Sequence, residues 1–257
     1  MRTKQVLLIA GTLFLIIFQG CYSLKKSKDY YGIKTQDMKK IVFILDISGS
    51  MEGQTETNLK GEVVAKATRY VADKTSHVVS NEIGGEAGKM AGNLLKKKVE
   101  KSITKLQKAR KKLIPAIKGL PEDAVFDIIV FENTVKVWRP GMTEASKSNK
   151  LIAQTYLEAL KAGGGTNIYG ALKKAFDMAG SNVNDSVKPV DVETVFLLSD
   201  GAPSSGLETS PDAIREAVKK WNPYHRITIH TIGLGKDCDE NFMKGLAADN
   251  NGIYIDK

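Results

Sequence analysis

Histidine and cysteine are nearly missing from this chain of 257 residues: His77, His225 and His230 are its three histidines, and Cys21 and Cys238 its two cysteines. That scarcity excludes a disulfide scaffold and a four-cysteine zinc site, and it leaves little material for histidine-based metal or triad chemistry. Membrane-length apolar runs are wanting too. The N-terminal run from Val6 to Phe18, apolar except for Gly11 and Thr12, is 13 residues long, whereas a bilayer-spanning helix needs about 20. Hydrophobic residues make up 42% and charged ones 26%, which excludes wholesale disorder and a multi-span membrane fold. Acidic residues are in deficit, 29 against 38 basic, for a net charge of +9. Anionic partners or surfaces therefore come into consideration.

Arg2 and Lys4 precede the short apolar run, and Gln19, Gly20 and Cys21 follow it. A basic start, a short apolar stretch and a small residue before a break describe a secretory signal peptide over residues 1–20. Gly20 followed by Cys21 resembles the end of a bacterial lipoprotein signal, although Phe18 and Gln19 stand where such signals carry Leu and a small residue. The resemblance implies lipidation of Cys21 and an exported protein of the cell envelope, anchored to a bacterial membrane at the periplasm or outer membrane. Residues 21–39, with Lys25, Lys26, Lys28, Asp29 and Lys34, lack apolar periodicity and read as a polar tether.

From Lys40 to Lys257 strand-like and helix-like segments alternate, which predicts an α/β fold: a doubly wound, mostly parallel six-stranded sheet. The strands are expected at Ile41–Leu45, Phe126–Phe131, Val135–Trp138, Val195–Leu198, Ile227–Ile232 and Ile253–Ile255. Between them, apolar stripes at Ile152, Tyr156, Ala159 and Leu160, at Leu172, Ala175, Phe176 and Ala179, at Ile214, Ala217, Val218 and Trp221, and at Phe242, Met243 and Leu246 predict helices. Ser210 and Pro211 mark the start of the third of these. Residues 52–100 read as a helical insertion after the first strand, with Gly84, Gly88 and Gly92 spaced for close helix approach, although Glu82, Glu86 and Lys89 fit a flexible or loosely packed soluble helix pair at least as well. Residues 96–118 carry ten Lys and Arg against Glu100. A solvated helix face accounts for such a run; if it binds anything, an anionic membrane surface fits better than nucleic acid, because no aromatic residue interleaves to stack on bases.

The chemistry lies at the ends of strands. Asp46-Ile47-Ser48-Gly49-Ser50 follows the first strand, Gly163-Gly164-Gly165-Thr166 precedes a helix near Asn167, and Asp200-Gly201 follows the fourth strand. Taken singly, these are caps and turns. In an open α/β sheet, however, ligands bind outside the carboxyl ends of strands where the strand order reverses. A 3-2-1-4-5-6 order makes strands one and four neighbours there, and Asp46 and Asp200 then face one crevice. Two carboxylates and three hydroxyls without His or Cys make a hard oxygen site, suited to Mg²⁺ or Mn²⁺ and unsuited to zinc.

With those five positions filled, the sequence resembles a von Willebrand factor type A domain carrying a metal-ion-dependent adhesion site. The resemblance covers residues 40–257, apart from the insertion, and lacks the helix that commonly closes the family's fold after the last strand. It implies that Ser48, Ser50 and, in the ligand-binding state, Thr166 touch the metal through hydroxyls, that Asp46 and Asp200 act mainly through water, and that an Asp or Glu carboxylate of a partner protein completes the coordination. The expected function is metal-dependent protein binding, adhesion or assembly, without catalysis and without nucleic acid. Two alternatives stay open. Phosphohydrolases of the haloacid dehalogenase type also use Mg²⁺ and an aspartate after the first strand, but they need a second carboxylate where Ser48 stands. The helical insertion would alternatively be the working part, a membrane-associating or oligomer-forming element carried by a passive domain.

Overall fold

The computed structural model describes residues 29–35, 37–53, 104–180 and 189–257. The main sheet begins with β3 (Lys40–Asp46), whose last six residues are all buried, as an apolar run covered on both faces requires. Around it lie β4 (Val125–Phe131), β5 (Val135–Val137), β7 (Thr194–Ser199), β8 (Thr228–Gly233) and β9 (Tyr254–Asp256), in the order β5-β4-β3-β7-β8-β9. This is the 3-2-1-4-5-6 arrangement expected. The pairs β4–β3, β3–β7, β7–β8 and β8–β9 are parallel, and β5 runs antiparallel to β4 across the Glu132–Thr134 turn. A two-residue strand, β6 (Thr143–Glu144), pairs with the start of β4 and adds a seventh member.

Among the described residues five helices cover the two faces: α1 (Lys105–Gly119), α2 (Lys147–Ala159), α3 (Ile168–Ala179), α4 (Pro211–Trp221) and α5 (Glu240–Ala248). Phe43, Leu45, Phe126 and Phe196 pack with α1 and α2 through Leu106, Leu113, Ile117, Ala153 and Leu157. Alternate strand residues Val42, Ile44, Ile129 and Leu197 pack on the opposite face with α3, α4 and α5. Each of these large apolar side chains contributes about 1.5–3 kcal/mol by leaving water. The helix starts follow their caps: Ser146, Asn167, Ser210 and Asp239 each accept a backbone N–H of the first turn.

Three expectations need correction. The polar tether does not extend through residue 39. Asp29–Tyr30 (β1) and Ile33–Lys34 (β2) form a small antiparallel hairpin, and Tyr30 is buried, its ring edge-on to Phe43 and Phe196. A single aromatic with no periodic neighbours leaves no pattern to read. The buried face of α2 is also turned. Ala153 and Leu157 are buried whereas Ile152 is exposed, because the half-apolar Lys150 joins the buried face and its ammonium donates to the carbonyl of Leu120 at 2.5 Å. Finally, the basic stretch is not uniformly solvated, since Lys105 is buried. The predicted signal peptide, Cys21, and the helices and glycine repeat expected between residues 54 and 100 lie outside the described residues. No helix among the described residues is long and apolar enough to cross a membrane.

Candidate metal centre

Parallel pairing of β3 with β7 brings the carboxyl ends of both strands to one edge. Past Asp46 the chain enters a short 3-10 turn, Gly49–Glu52, pinned by the fully buried Met51. Ser48 precedes this turn without capping it through its side chain. Its hydroxyl instead meets that of Ser50 at 3.0 Å, and Ser50 donates to Asp200 Oδ1 at 2.7 Å. Positions 150 residues apart in the chain thus meet directly.

The glycine loop is laced to the same turn. Gly163 N–H donates to the Ile47 carbonyl at 2.8 Å and Gly49 N–H to the Gly164 carbonyl at 2.9 Å. Gly164 has φ +77°, and a Cβ there would lie 2.4 Å from Glu132 Oε2, so the loop can pass only as glycine. Its neighbours are fixed from the side: Gly165 N–H donates to Asn133 Oδ1 and Thr166 N–H to Ser204 Oγ. Asn167, not Thr166, caps α3, which frees the Thr166 hydroxyl from that duty. A Cβ placed on Gly201 would stand 3.8 Å from Thr166 Oγ1 and 3.9 Å from Ser50 Oγ. Both hydroxyls therefore border the residue next to Asp200. All five residues singled out in the sequence are gathered at this edge.

Asp46 and Asp200 have no exposed surface. Asp46 Oδ1 accepts Ser48 N–H at 2.7 Å, and Oδ2 accepts the hydroxyl of Ser199 at 2.5 Å. Burial pushes the Asp46 carboxyl up to about 6; the bonds from Ser199 and Ser48 oppose the rise and the charge of Asp200 adds to it. Asp200 is compensated from the other side, because Lys105 Nζ donates to its Oδ2 at 2.7 Å and to Asp237 Oδ2 at 3.3 Å. Desolvation works to lower the pKa of Lys105, yet the bonds and charges of Asp200 and Asp237 outweigh it and raise the value. The site thus holds a charged ammonium against a buried carboxylate.

Ser199, Lys105 and Asp237 escaped the sequence reading. Ser199 directly follows the expected strand Val195–Leu198, and nothing local signals that its hydroxyl serves Asp46. Lys105 was hidden among nine other basic residues, although one signal was available: Thr104 and Gln107 form a capping box, each bonding the other's backbone N–H, which makes Lys105 the first helical residue beside the sheet edge.

Residues 99–256 match the family model of the von Willebrand factor type A domain. The matched span includes Thr166 and Asp200 and starts beyond Asp46, Ser48 and Ser50. The chain is 33% identical over 150 residues to the human (Homo sapiens) inter-alpha-trypsin inhibitor heavy chain H4, covering 58% of this chain and 16% of that protein. It is 32% identical over 148 residues to heavy chain H2 of Sus scrofa, covering 56% of this chain and 16% of that one. The chain therefore spans about a sixth of the length of these curated relatives. Among solved structures, a von Willebrand factor type A protein from Catenulispora acidiphila matches with a TM-score of 0.54 at 18% identity, over 88% of this chain and 39% of that one. An aerotolerance-related membrane protein from Bacteroides fragilis matches with a TM-score of 0.50 at 15% identity, over 85% of this chain and 91% of that one. These structural likenesses speak to the fold. With more than half of its length matched by the family model, the chain belongs to the von Willebrand factor type A domain family.

Proposed function

We propose that this domain binds a partner protein through a divalent cation, Mg²⁺ or Mn²⁺, held by Ser48, Ser50, Thr166, Asp46 and Asp200. Domains of the family are protein-interaction and adhesion modules. The observation that carries the metal reading is the Ser48–Ser50–Asp200 chain of hydrogen bonds, which converges hydroxyl and carboxylate oxygens from two strand ends, with Thr166 bordering the same spot. This donor set fits the group. It consists of oxygens alone, as Mg²⁺ and Mn²⁺ prefer, and of its two buried carboxylates Asp200 meets an ammonium while Asp46 meets none among the contacts described, so a further positive charge would be welcome. When bound, the cation supplies a Lewis-acidic position that an Asp or Glu carboxylate of the partner can fill. The protein's part is to present neutral hydroxyls, which leave that charge incompletely satisfied, and to hold Asp46 through Ser199 and the Ser48 N–H.

This is binding without catalysis. A haloacid dehalogenase type hydrolase needs a carboxylate at residue 48 as acid and base, whereas the Ser48 hydroxyl is engaged with Ser50. Export and lipid anchoring at Cys21 form part of the same proposal, because the envelope is where an adhesive domain meets its partners.

Mn²⁺ or Mg²⁺ titration with calorimetry tests the reading: one ion per chain is expected, lost in Ser50→Ala and Asp200→Asn. Saturating metal should also stabilise the fold, by ~2.7 kcal/mol at a hundredfold excess over the dissociation constant. Capture of an envelope partner should disappear in EDTA and in Asp46→Ala. Absence of metal binding at millimolar concentration would refute the proposal.

A further inference from the structure

We propose that Lys105 is a tethered cation that competes with the divalent metal for Asp200, so that metal binding displaces the lysine from the site. This rests on the metal reading above and adds a built-in competitor to it. Lys105 and Asp200 form the deepest ion pair described, their side chains 7% and 0% exposed at 2.7 Å. Asp200 is divided between the two systems: Oδ1 accepts Ser50 and Oδ2 accepts Lys105. A dication at the hydroxyls and an ammonium on the same carboxylate would be like charges a few ångströms apart in a buried site, where repulsion is poorly screened.

The lysine is built into this position. As the first residue of α1 it is fixed by the Thr104–Gln107 capping box, and its own N–H donates to the Gly53 carbonyl at 3.0 Å. Room for its stem is left by glycine on two sides: a Cβ at Gly235, where φ is +80°, would lie 3.3 Å from Lys105 Cε, and one at Gly53 3.9 Å. It also has somewhere to go. Asp237, 3.3 Å from the same Nζ, is 81% exposed, so the ammonium can give up Asp200 and keep a carboxylate at the rim. Exchange needs only a side-chain swing.

Two measurements on the purified chain test this. In calorimetric titrations with MgCl₂ and MnCl₂, Lys105→Gln should bind tighter than the parent. The gain is about tenfold if the lysine holds Asp200 nine-tenths of the time, since apparent affinity scales with the competent fraction. In the unaltered chain, acetic anhydride labelling read by mass spectrometry should modify Lys105 slowly without metal and several-fold faster with saturating metal, while Lys147, 90% exposed, reacts equally in both. Equal or weaker binding by Lys105→Gln, together with labelling that metal does not change, overturns the competition and leaves the metal site standing. If neither protein binds metal, the site and the competition fall together. Should Lys105→Gln fail to fold, the labelling experiment decides alone.

Discussion

Asp127 makes the stability of this fold depend on pH in a direction opposite to that of an ordinary salt-bridged carboxylate. It sits within β4, opposite Val42 of β3, with no exposed surface. One oxygen accepts the N–H groups of Ile128 at 2.6 Å and Arg139 at 3.2 Å; the other is buried without a hydrogen-bond partner among the described residues. Burial pushes the carboxyl from an ordinary 3.8 up to about 7, against the opposing effect of the two N–H bonds and the Arg139 charge. Between those two values the folded chain keeps the proton while the unfolded chain releases it, so stability falls as pH rises through this window. One pKa unit corresponds to 1.36 kcal/mol, which sets the total loss at about 4 kcal/mol at most. Asp127→Asn keeps the shape and removes the titration. Relative to the parent it should be near neutral at pH 4 and more stable at pH 8 by an amount approaching that ceiling. Urea unfolding of both proteins at half-unit steps from pH 4 to 8 reads the difference directly. A difference that stays constant across the range would refute the reasoning, because it would mean that Asp127 titrates alike in the folded and unfolded chains.

Removing the Ser199 hydroxyl should leave the buried Asp46 carboxylate one donor short. Ser199→Ala is expected to lower stability by about 1–3 kcal/mol at neutral pH in urea unfolding. Residues 54–103 lie in the sequence between Gly53 and Thr104, and the Gly53 carbonyl accepts the Lys105 N–H. Replacing them by three or four Gly and Ser residues should preserve cooperative unfolding and metal binding, with a closure gain of up to about 2 kcal/mol; loss of cooperative unfolding would show that the insertion is part of the core. Cys21→Ser should abolish incorporation of labelled palmitate and release the protein from the membrane fraction.

What the sequence disclosed and what it hid follow from the range of the forces involved. Strand order was legible because buried parallel strands are continuous apolar runs such as Ile41–Leu45, and because the reversal rule places strands one and four side by side. Asp46, Ser48, Ser50, Thr166 and Asp200 were legible because strand ends with small, oxygen-bearing residues announce themselves locally. Tyr30 was not, since an isolated aromatic ahead of the first strand has no period to reveal that its ring packs edge-on against the stacked Phe43 and Phe196. Lys150 and Ile152 exchanged their expected exposure because periodicity counts a lysine as polar along its whole length, whereas its stem can be buried if its head finds a carbonyl. Lys105 was overlooked for a third reason: its partner Asp200 is 95 residues away, and the capping box that starts its helix marks its place in the fold but not that partner.

Lys105 also changes how the charge of the site must be counted. Asp46 and Asp200 bring two buried negative charges, and the three hydroxyls bring none. With the ammonium in place the site keeps one uncompensated carboxylate, and that residue is Asp46, the one whose pKa burial raises toward neutrality. A dication in place of the ammonium balances both carboxylates, and an acidic group arriving from a partner then makes the assembly negative again by one. The displaced Lys105 shares the rim with Asp237, which is 81% exposed and therefore solvated, so its ammonium is positioned to offset part of that last charge. The same lysine that opposes metal in the free domain would thus favour the partner's carboxylate once metal is bound. On this account, weakening of metal binding by Lys105 and strengthening of partner binding by Lys105 are two consequences of one positive charge moving a few ångströms. Lys105→Gln should therefore separate them, tightening the metal while loosening an acidic peptide ligand measured at saturating Mg²⁺.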